Sequence, residues 1–568
     1  MLASADAGVE GGGFIILAAV ILLIALGVPL YILIGAVVFL CYAVDWLPGA
    51  DFFANFDRTS EMVDLIDTPD FVAIPFFMIA GAVMGRGLIA KKLIDIASAW
   101  LGWLPGGLGV SAIFACVFFA AISGSSPVTV VTIGAIMIPA LKNAGYSNTM
   151  SYGLITSAGG LGIIIPPSIP MIVYSIYASN SGVPVKVSEL FLAGFLPGIF
   201  IAVVLSLFTM VGARKAQRQP FVFNKALASI GDGVWALFLP FFILGGIYSG
   251  LFNATQAAAM SVILAIAIEI WIHKSMSLRD VPKLIADNAL LLGALLLIIM
   301  LATGFSSYAE DNELPAKLGE LLGDHLSPIM FLLLLNVMLL LSGMVLDIIS
   351  AIVLFVPLVV PLAKEMGFDP LHIGIIFIVN LEIGYLTPPI GLNLFVATSY
   401  FKQPFGMIVR SVAPFVLVMI GSLMFLSFVP SIAAGIPAVS RGEDFWVSLP
   451  EARDGSAVVK EADTPAGGTE ESETDESMQD LMDSDPELQK LRDQLKAAGE
   501  DDSEPAPVED DPEMDEYEDE PEGGADASGD AGAAPQDASP EPDAAVPSGA
   551  EGGDATPAGD SGPSNEAE

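Results

Sequence analysis

The chain has 568 residues, 54% of them apolar, against about 45–50% in ordinary soluble domains, and this excludes a water-soluble globular fold. The formal net charge of −41 sits mostly at one end: residues 436–568 hold 40 acidic and 6 basic side chains, so a membrane-embedded part is joined to an acidic tail and no nucleic-acid partner is expected. No G-x-x-x-x-G-K-[ST] loop occurs, which rules out ATP hydrolysis within this chain. Cys41 and Cys116 show no CxxC spacing, and His273, His325 and His372 are scattered at segment ends. No transition-metal site, cofactor or catalytic triad is expected, and the chain does not read as an enzyme.

A bilayer-crossing helix needs about 20 apolar residues. In chain order, Phe14–Gly27 forms a first span, and with no basic n-region before it this segment is expected to be retained. Tyr31–Trp46 forms a second span, followed by an acidic loop from Asp51 to Asp70. Gly109–Ile122 and Val128–Leu141 are each short and are separated by the polar Ser123–Ser126 and Pro127, the pattern of a re-entrant hairpin. The apolar stretch SAGGLGIIIPPSIPM, Ser157–Met171, is interrupted by glycines and a Pro-Pro pair. Spans follow at Leu190–Val211, Val234–Tyr248, Ala257–Ile272 and Ala289–Thr303. A second hairpin candidate, Met330–Leu341 and Ile348–Leu362, turns at Ser342–Asp347; a second interrupted stretch, VNLEIGYLTPPIGLN, covers Val379–Asn393; Ile408–Val429 is the last span. From Glu443 onward the composition is that of a disordered tail, with one exception. In Pro486–Leu495, Leu488, Leu491 and Leu495 share a helical face that either docks on a partner or forms a transient helix in solvent.

The second hairpin and break repeat the first. Pro388 lies 222 residues after Pro166, Gly384 after Gly162, Pro361 after Pro139 and Gly367 after Gly145. The expected fold is an all-α polytopic membrane protein with an inverted repeat, two re-entrant helical hairpins and two broken helices: residues 1–228 form one repeat, 229–433 the other, and 434–568 the tail. Arg86, Lys91, Lys92, Lys142, Arg214, Lys215, Arg218 and Lys225 fall on one side with Lys274, Arg279, Lys283, Lys402 and Arg410, which by the positive-inside rule is cytoplasmic. That places the tail in the periplasm of a bacterial inner-membrane protein, and because a disordered segment adds no packed contacts it is expected to be dispensable for transport, even after truncation near Gly435.

A helix broken inside the bilayer exposes carbonyls at the end of its first half and N–H groups at the start of its second, suiting cations and carboxylates respectively. Pro166, Pro167, Pro388 and Pro389 enforce the breaks. One cation site per repeat is expected: Ser123, Gly124, Ser125, Ser126, Gly160 and Gly162 in the first, and Gly343, Asp347, Gly384 and Thr387 in the second, with local helix capping as the competing role for their hydroxyls. Substrate is expected beside Ser168, Pro167, Pro389 and Asn393, and Glu382 is expected to bind backbone groups freed by the break, with ion binding as the alternative.

These two interrupted motifs, with AIPFFMIAGAVM at Ala73–Met84, FAAISGSSPVTVVTIGAIMIPAL at Phe119–Leu141 and LFLAGFLPG at Leu190–Gly198, resemble the large membrane subunit of tripartite ATP-independent periplasmic (TRAP) transporters, the DctM-like family. The resemblance covers roughly residues 14–430; Pro127 departs from the small residue often found there, and the tail has no counterpart. It implies an elevator-type carrier of the ion-transporter superfamily with Na+ as coupling ion, importing organic acids such as C4-dicarboxylates. It also implies two partners, a small TRAP membrane subunit and a periplasmic substrate-binding protein. The alternative is a stand-alone sodium/dicarboxylate symporter of similar architecture.

Overall fold

The computed structural model describes residues 32, 35–40, 69–311, 314–317 and 327–450. The first span, most of the second, the acidic loop before Pro69 and the tail after Pro450, with its Leu488–Leu495 stripe, lie outside them. All regular structure among the described residues is helical. By length and composition six helices there can cross a membrane, or eight if each of two bent pairs counts as one span.

The helices fall where apolar length and breakers place them. Helix α1, Pro69–Arg86, bends by 68° into α2, Ile89–Leu101. The first hairpin is α3, Gly107–Ser123, and α4, Ser126–Asn143. The first broken helix comprises α5, Asn148–Ala158, the single turn α6, Leu161–Ile164, and α7, Ile169–Asn180, bent by 40° at the proline pair. Three long helices follow: α8, Val187–Gly212; α9, Phe223–Tyr248; and α10, Ala254–Ala267, which runs into a π-helical turn at Ile268–Ile272. Next come α11, Asp280–Asp311, and the second hairpin, α12, Pro328–Gly343, with α13, Ile348–Glu365. The second broken helix is α14, Pro370–Tyr385, and α15, Leu392–Phe401; then come α16, Phe405–Phe428, and α17, Ser431–Ser440.

The spacing of 222 residues recurs in element boundaries and in their chemistry. Helices α4 and α13 each have 18 residues and start at 126 and 348; α5 and α14 start at 148 and 370. Gly145 and Gly367 end the hairpins at φ 87° and 86°, a left-handed conformation that side chains resist. The hydrogen bonds match too: Gly145 N–H to Lys142 O and Tyr146 N–H to Leu141 O, as Gly367 N–H to Lys364 O and Phe368 N–H to Ala363 O. This is the C-terminal motif that satisfies the last carbonyls of a helix. Ser147 and Asp369 then cap the next helix, accepting from Met150 N–H at 3.1 Å and Leu371 N–H at 2.7 Å.

The two halves interlock. Helix α5 packs on α16, α7 on α13, and α4 on α15, so each broken helix is held by elements of the other half. Tyr174 donates from α7 to Pro370 O at 2.8 Å, and Tyr177 to Ile299 O on α11 at 2.7 Å. A buried polar chain joins α14, α12 and α16: Asn380 donates to Asn336 Oδ1 at 2.6 Å, and Asn336 donates to Ser427 Oγ at 3.2 Å.

The bend between α1 and α2 is fixed by Glu269, a fully buried carboxylate in the π-helical turn. It accepts from Leu88 N–H at 3.0 Å and Ile89 N–H at 2.8 Å, and Ser275 and His273 also contact it. Two orphan donors at the N-terminus of α2 are thereby satisfied by a distant helix. Helix α2 buries Ile89, Leu93, Ile94 and Ala97 and exposes Lys91, Asp95 and Trp100, an amphipathic helix of interfacial type.

The C-terminal boundary differs from the sequence expectation. The limit at 433 falls inside α17, and residues 441–450 pack back onto the helices. Arg441 pairs with Glu189 at 3.1 Å and Glu443 at 3.0 Å and approaches Asp369 at 3.8 Å; Val447 and Ser431 exchange two hydrogen bonds; and Phe445 covers Gly435. The Arg441 guanidinium holds the Glu443 carboxyl below its usual range. Truncation near Gly435 would cut through a packed helix, so the cut that isolates the tail lies after Pro450. A chain ending at Pro450 should melt like the full protein, whereas one ending at Ser440 should melt about 2–4 °C lower, because it loses the packed contacts of this strap. Equal melting of both shortened chains would show that the strap adds nothing.

Candidate solute and ion site

Each hairpin tip is seated in the break of its own half. In the first, a Cβ on Gly124 would lie 3.0 Å from Pro167 O, and one on Gly162 would lie 2.6 Å from both Ser125 O and Thr129 Oγ1. Ser123 Oγ and Thr129 Oγ1 are 3.1 Å apart, and Thr129 donates to Ser125 O at 2.8 Å. Ser123, Gly124, Ser125, Gly162 and Pro167 therefore do meet in one place, together with Thr129, which the sequence reading did not single out. In the second half, a Cβ on Gly384 would lie 2.5 Å from Gly343 C, and Ile390 donates to Met344 O at 3.2 Å across the tip. Both Pro-Pro bonds, Pro166–Pro167 and Pro388–Pro389, are cis.

Two expected ligands of the second half have local partners. Asp347 is the N-cap of α13: Oδ2 accepts from Ile349 N–H and Ser350 N–H, both at 3.1 Å, and Oδ1 from the Ser350 hydroxyl. Thr387 donates to Ile383 O, one turn back, at 2.7 Å. Helix capping and back-bonding, the competing roles for such side chains, describe these contacts.

The halves meet at Glu382. Its Oε1 accepts from Asn393 Nδ2 at 2.8 Å and from Ser126 Oγ at 3.4 Å, and Asn393 also donates to Ser126. Gly160 lies so close that any Cβ there would strike the Glu382 carboxylate. The expectation that Glu382 serves backbone groups is corrected: it accepts from side chains, one on α15 and one at the first hairpin tip, because the packing of the two halves brings Asn393 and Ser126 within reach of its carboxylate. The node joins Gly160, Ser126, Glu382 and Asn393 from four elements, and Ser126, Glu382 and Asn393 are fully buried. Within it, Glu382 Oε2 and Asn393 Oδ1 are buried with no hydrogen-bond partner among the described residues, as are, elsewhere along the first broken helix, Ser157 Oγ in α5 and Ser168 Oγ before α7. Buried polar atoms are normally satisfied, so the two unsatisfied oxygens of the Glu382–Asn393 pair point to groups that engage something other than the protein.

Pro166, Pro167 and Ser168 precede α7, and Pro388 and Pro389 precede α15, whose second residue is Asn393. The N-termini of α7 and α15 thus lie next to the unsatisfied oxygens of Ser168 and Asn393, and such ends favour anions. No group of three or more His, Cys, Asp or Glu side chains able to hold a metal occurs among the described residues.

Two discontinuous helices with buried polar interruptions, inside a bundle of membrane-length helices, are the construction of a secondary transporter. The YdaH transporter of Alcanivorax borkumensis shares this fold, with a TM-score of 0.50 over 71% of this chain and 91% of that one at 15% identity. The chain belongs to the tripartite ATP-independent periplasmic transporter family, DctM component, which it matches over residues 17–432. It is 37% identical to the C4-dicarboxylate TRAP transporter large permease protein DctM of Pseudomonas aeruginosa, over 66% of this chain and 89% of that protein. It is 32% identical to the ectoine/5-hydroxyectoine large permease UehC of Ruegeria pomeroyi, over 73% and 96%, and 34% identical to the isethionate permease DctMQ of Oleidesulfovibrio alaskensis, over 72% and 64%. The protein is a multi-pass membrane permease subunit, and its relatives are transporters rather than enzymes.

Proposed function

We propose that this permease imports an organic acid, a C4-dicarboxylate or a related carboxylate, across a bacterial inner membrane in symport with Na+. The observation that carries the reading is the Glu382 node with its unsatisfied oxygens between the two breaks. Hard cations take oxygen ligands, and the carbonyl oxygens of Gly160 and Gly384, which accept from Ile163 N–H and Thr387 N–H and keep a second lone pair, join that of Gly162 and the hydroxyls of Ser123, Ser125 and Ser126. The substrate carboxylate lies at the N-termini of α7 and α15, near Ser168 and Asn393. The hairpins are re-entrant in this reading, which the burial of the polar Ser123 and Ser126 at the first tip supports. The two halves have opposite orientation and form, with the broken helices, a transport domain that moves as an elevator against a scaffold. A small membrane subunit and a periplasmic binding protein complete the carrier, and the tail lies in the periplasm. Family membership favours this over a stand-alone symporter.

The test is uptake of radiolabelled succinate, with other organic acids in parallel, into liposomes holding this chain alone or with its small subunit, with or without the binding protein. Uptake is expected only in the complete system and only with Na+ outside. Uptake by this chain alone, or with K+ replacing Na+, would overturn the tripartite or the sodium reading respectively.

A further inference from the structure

Away from the central site, a cleft of about 610 Å³ opens between α2, the second helix of the first hairpin, and α9. Four charged side chains line it, Lys92 and Asp95 from α2 and Lys225 and Asp232 from α9, and none forms an ion pair among the described residues. Asp95, Lys225 and Asp232 are exposed and Lys92 is half-buried, so their charged ends are open to a body that enters the cleft. The opposite wall is apolar, with Met137 from α4.

The surroundings set the level of this cleft in the membrane. Trp103 also lines it; its indole donates to Trp100 O at 3.0 Å and the Trp100 indole to Ala226 O at 3.2 Å, while Phe221 meets both rings edge-on. Tryptophans with a satisfied N–H and an exposed ring mark the headgroup level, where lysine stems lie along apolar surface with the ammonium in the polar layer. Helix α2 is amphipathic and anchored at its start by Glu269, so it forms a fixed interfacial rim.

We propose that this cleft binds one phospholipid with a phosphoethanolamine headgroup. Lys92 and Lys225 take the phosphodiester anion, Asp95 and Asp232 take the primary ammonium, and the acyl chains leave along Met137. The paired signs select the headgroup. Phosphocholine has no N–H to donate to the aspartates, and phosphatidylglycerol leaves both aspartates beside an anionic lipid with no cation. A volume near 600 Å³ suits a headgroup with the first part of its chains, since small-molecule sites span about 300–1,000 Å³.

The test is native mass spectrometry of the full chain extracted from vesicles containing equal amounts of chain-matched phosphatidylethanolamine, phosphatidylcholine and phosphatidylglycerol. One retained phosphatidylethanolamine is expected, favoured about fivefold over the other two, as a few partly exposed charge contacts would give. Asp95→Asn with Asp232→Asn should remove the preference over phosphatidylglycerol, and Lys92→Gln with Lys225→Gln should lower retention of all three. Equal retention by the parent, a preference for phosphatidylglycerol, or variants that keep the parent's selectivity would overturn the assignment. Should the variants not fold, displacement from the parent by dihexanoyl phosphatidylethanolamine against dihexanoyl phosphatidylcholine decides: equal displacement refutes the proposal.

Discussion

Replacing Glu382 by glutamine should leave a folded permease whose uptake falls at least about tenfold and whose response to Na+ concentration flattens. Glutamine is nearly isosteric and keeps one carbonyl oxygen to accept from Asn393 and Ser126, so the link between the halves survives and stability should change by only about 1 kcal/mol. What disappears is the negative charge and the second carboxylate oxygen, the one with no hydrogen-bond partner among the described residues. Alanine should behave differently. It strands the donors of Asn393 and Ser126 in a buried site and leaves a void, a loss of about 2–4 kcal/mol, so melting temperature and uptake fall together. The informative comparison is therefore glutamine against parent, in uptake titrated with Na+ and in thermal melting. Normal uptake with an unchanged Na+ titration in the glutamine variant would reduce Glu382 to a structural strut and move the cation site to the hairpin tips alone.

Gly384→Ala should abolish uptake for a reason that needs no charge. The added methyl would stand 2.5 Å from the carbonyl carbon and 2.6 Å from Cα of Gly343, both backbone atoms, so no side-chain rotation relieves the contact. The second tip must lift out of the second break, and overpacking of this kind costs about 1–3 kcal/mol or more. Gly421→Ala in α16 is the matched control: nothing lies within 4 Å of its added methyl, and alanine there should leave uptake unchanged or raise stability by up to about 1 kcal/mol. Uptake measured in parallel on the two variants, normalised to protein in the membrane, separates a specific requirement for close tip packing from a general sensitivity to glycine replacement. Parental uptake by Gly384→Ala would mean that the tip does not need to seat there.

Much of the architecture is legible in the residues alone. The proline pairs, Gly145 with Gly367, and the two polar turns at Ser123–Ser126 and Ser342–Asp347 mark hairpins and breaks, and the helices begin and end near them. Apolar run length and breaker residues act over a few neighbours, so they survive in any folded context. Asp347 and Thr387 show the limit of that reading. Hydroxyls and carboxylates beside a break serve equally as ion ligands or as caps, and only coordinates reveal that Asp347 holds Ile349 and Ser350 while Thr387 turns back to Ile383.

By itself, then, the sequence determined that this is a helical membrane protein, that prolines and glycines of its first half recur 222 residues later, and where the breaks at the proline pairs lie. The tertiary structure alone decided which groups meet. Glu382 finds Ser126, 256 positions away, Asn336 finds Ser427, and Glu269 reaches back to the start of α2. The same packing decided that residues 441–450 belong to the helical body despite a composition that reads as tail. Local patterns follow from propensity and hydrophobic period, whereas a buried carboxylate takes its partners from whichever helices close over it, and that choice is made only when the whole bundle packs.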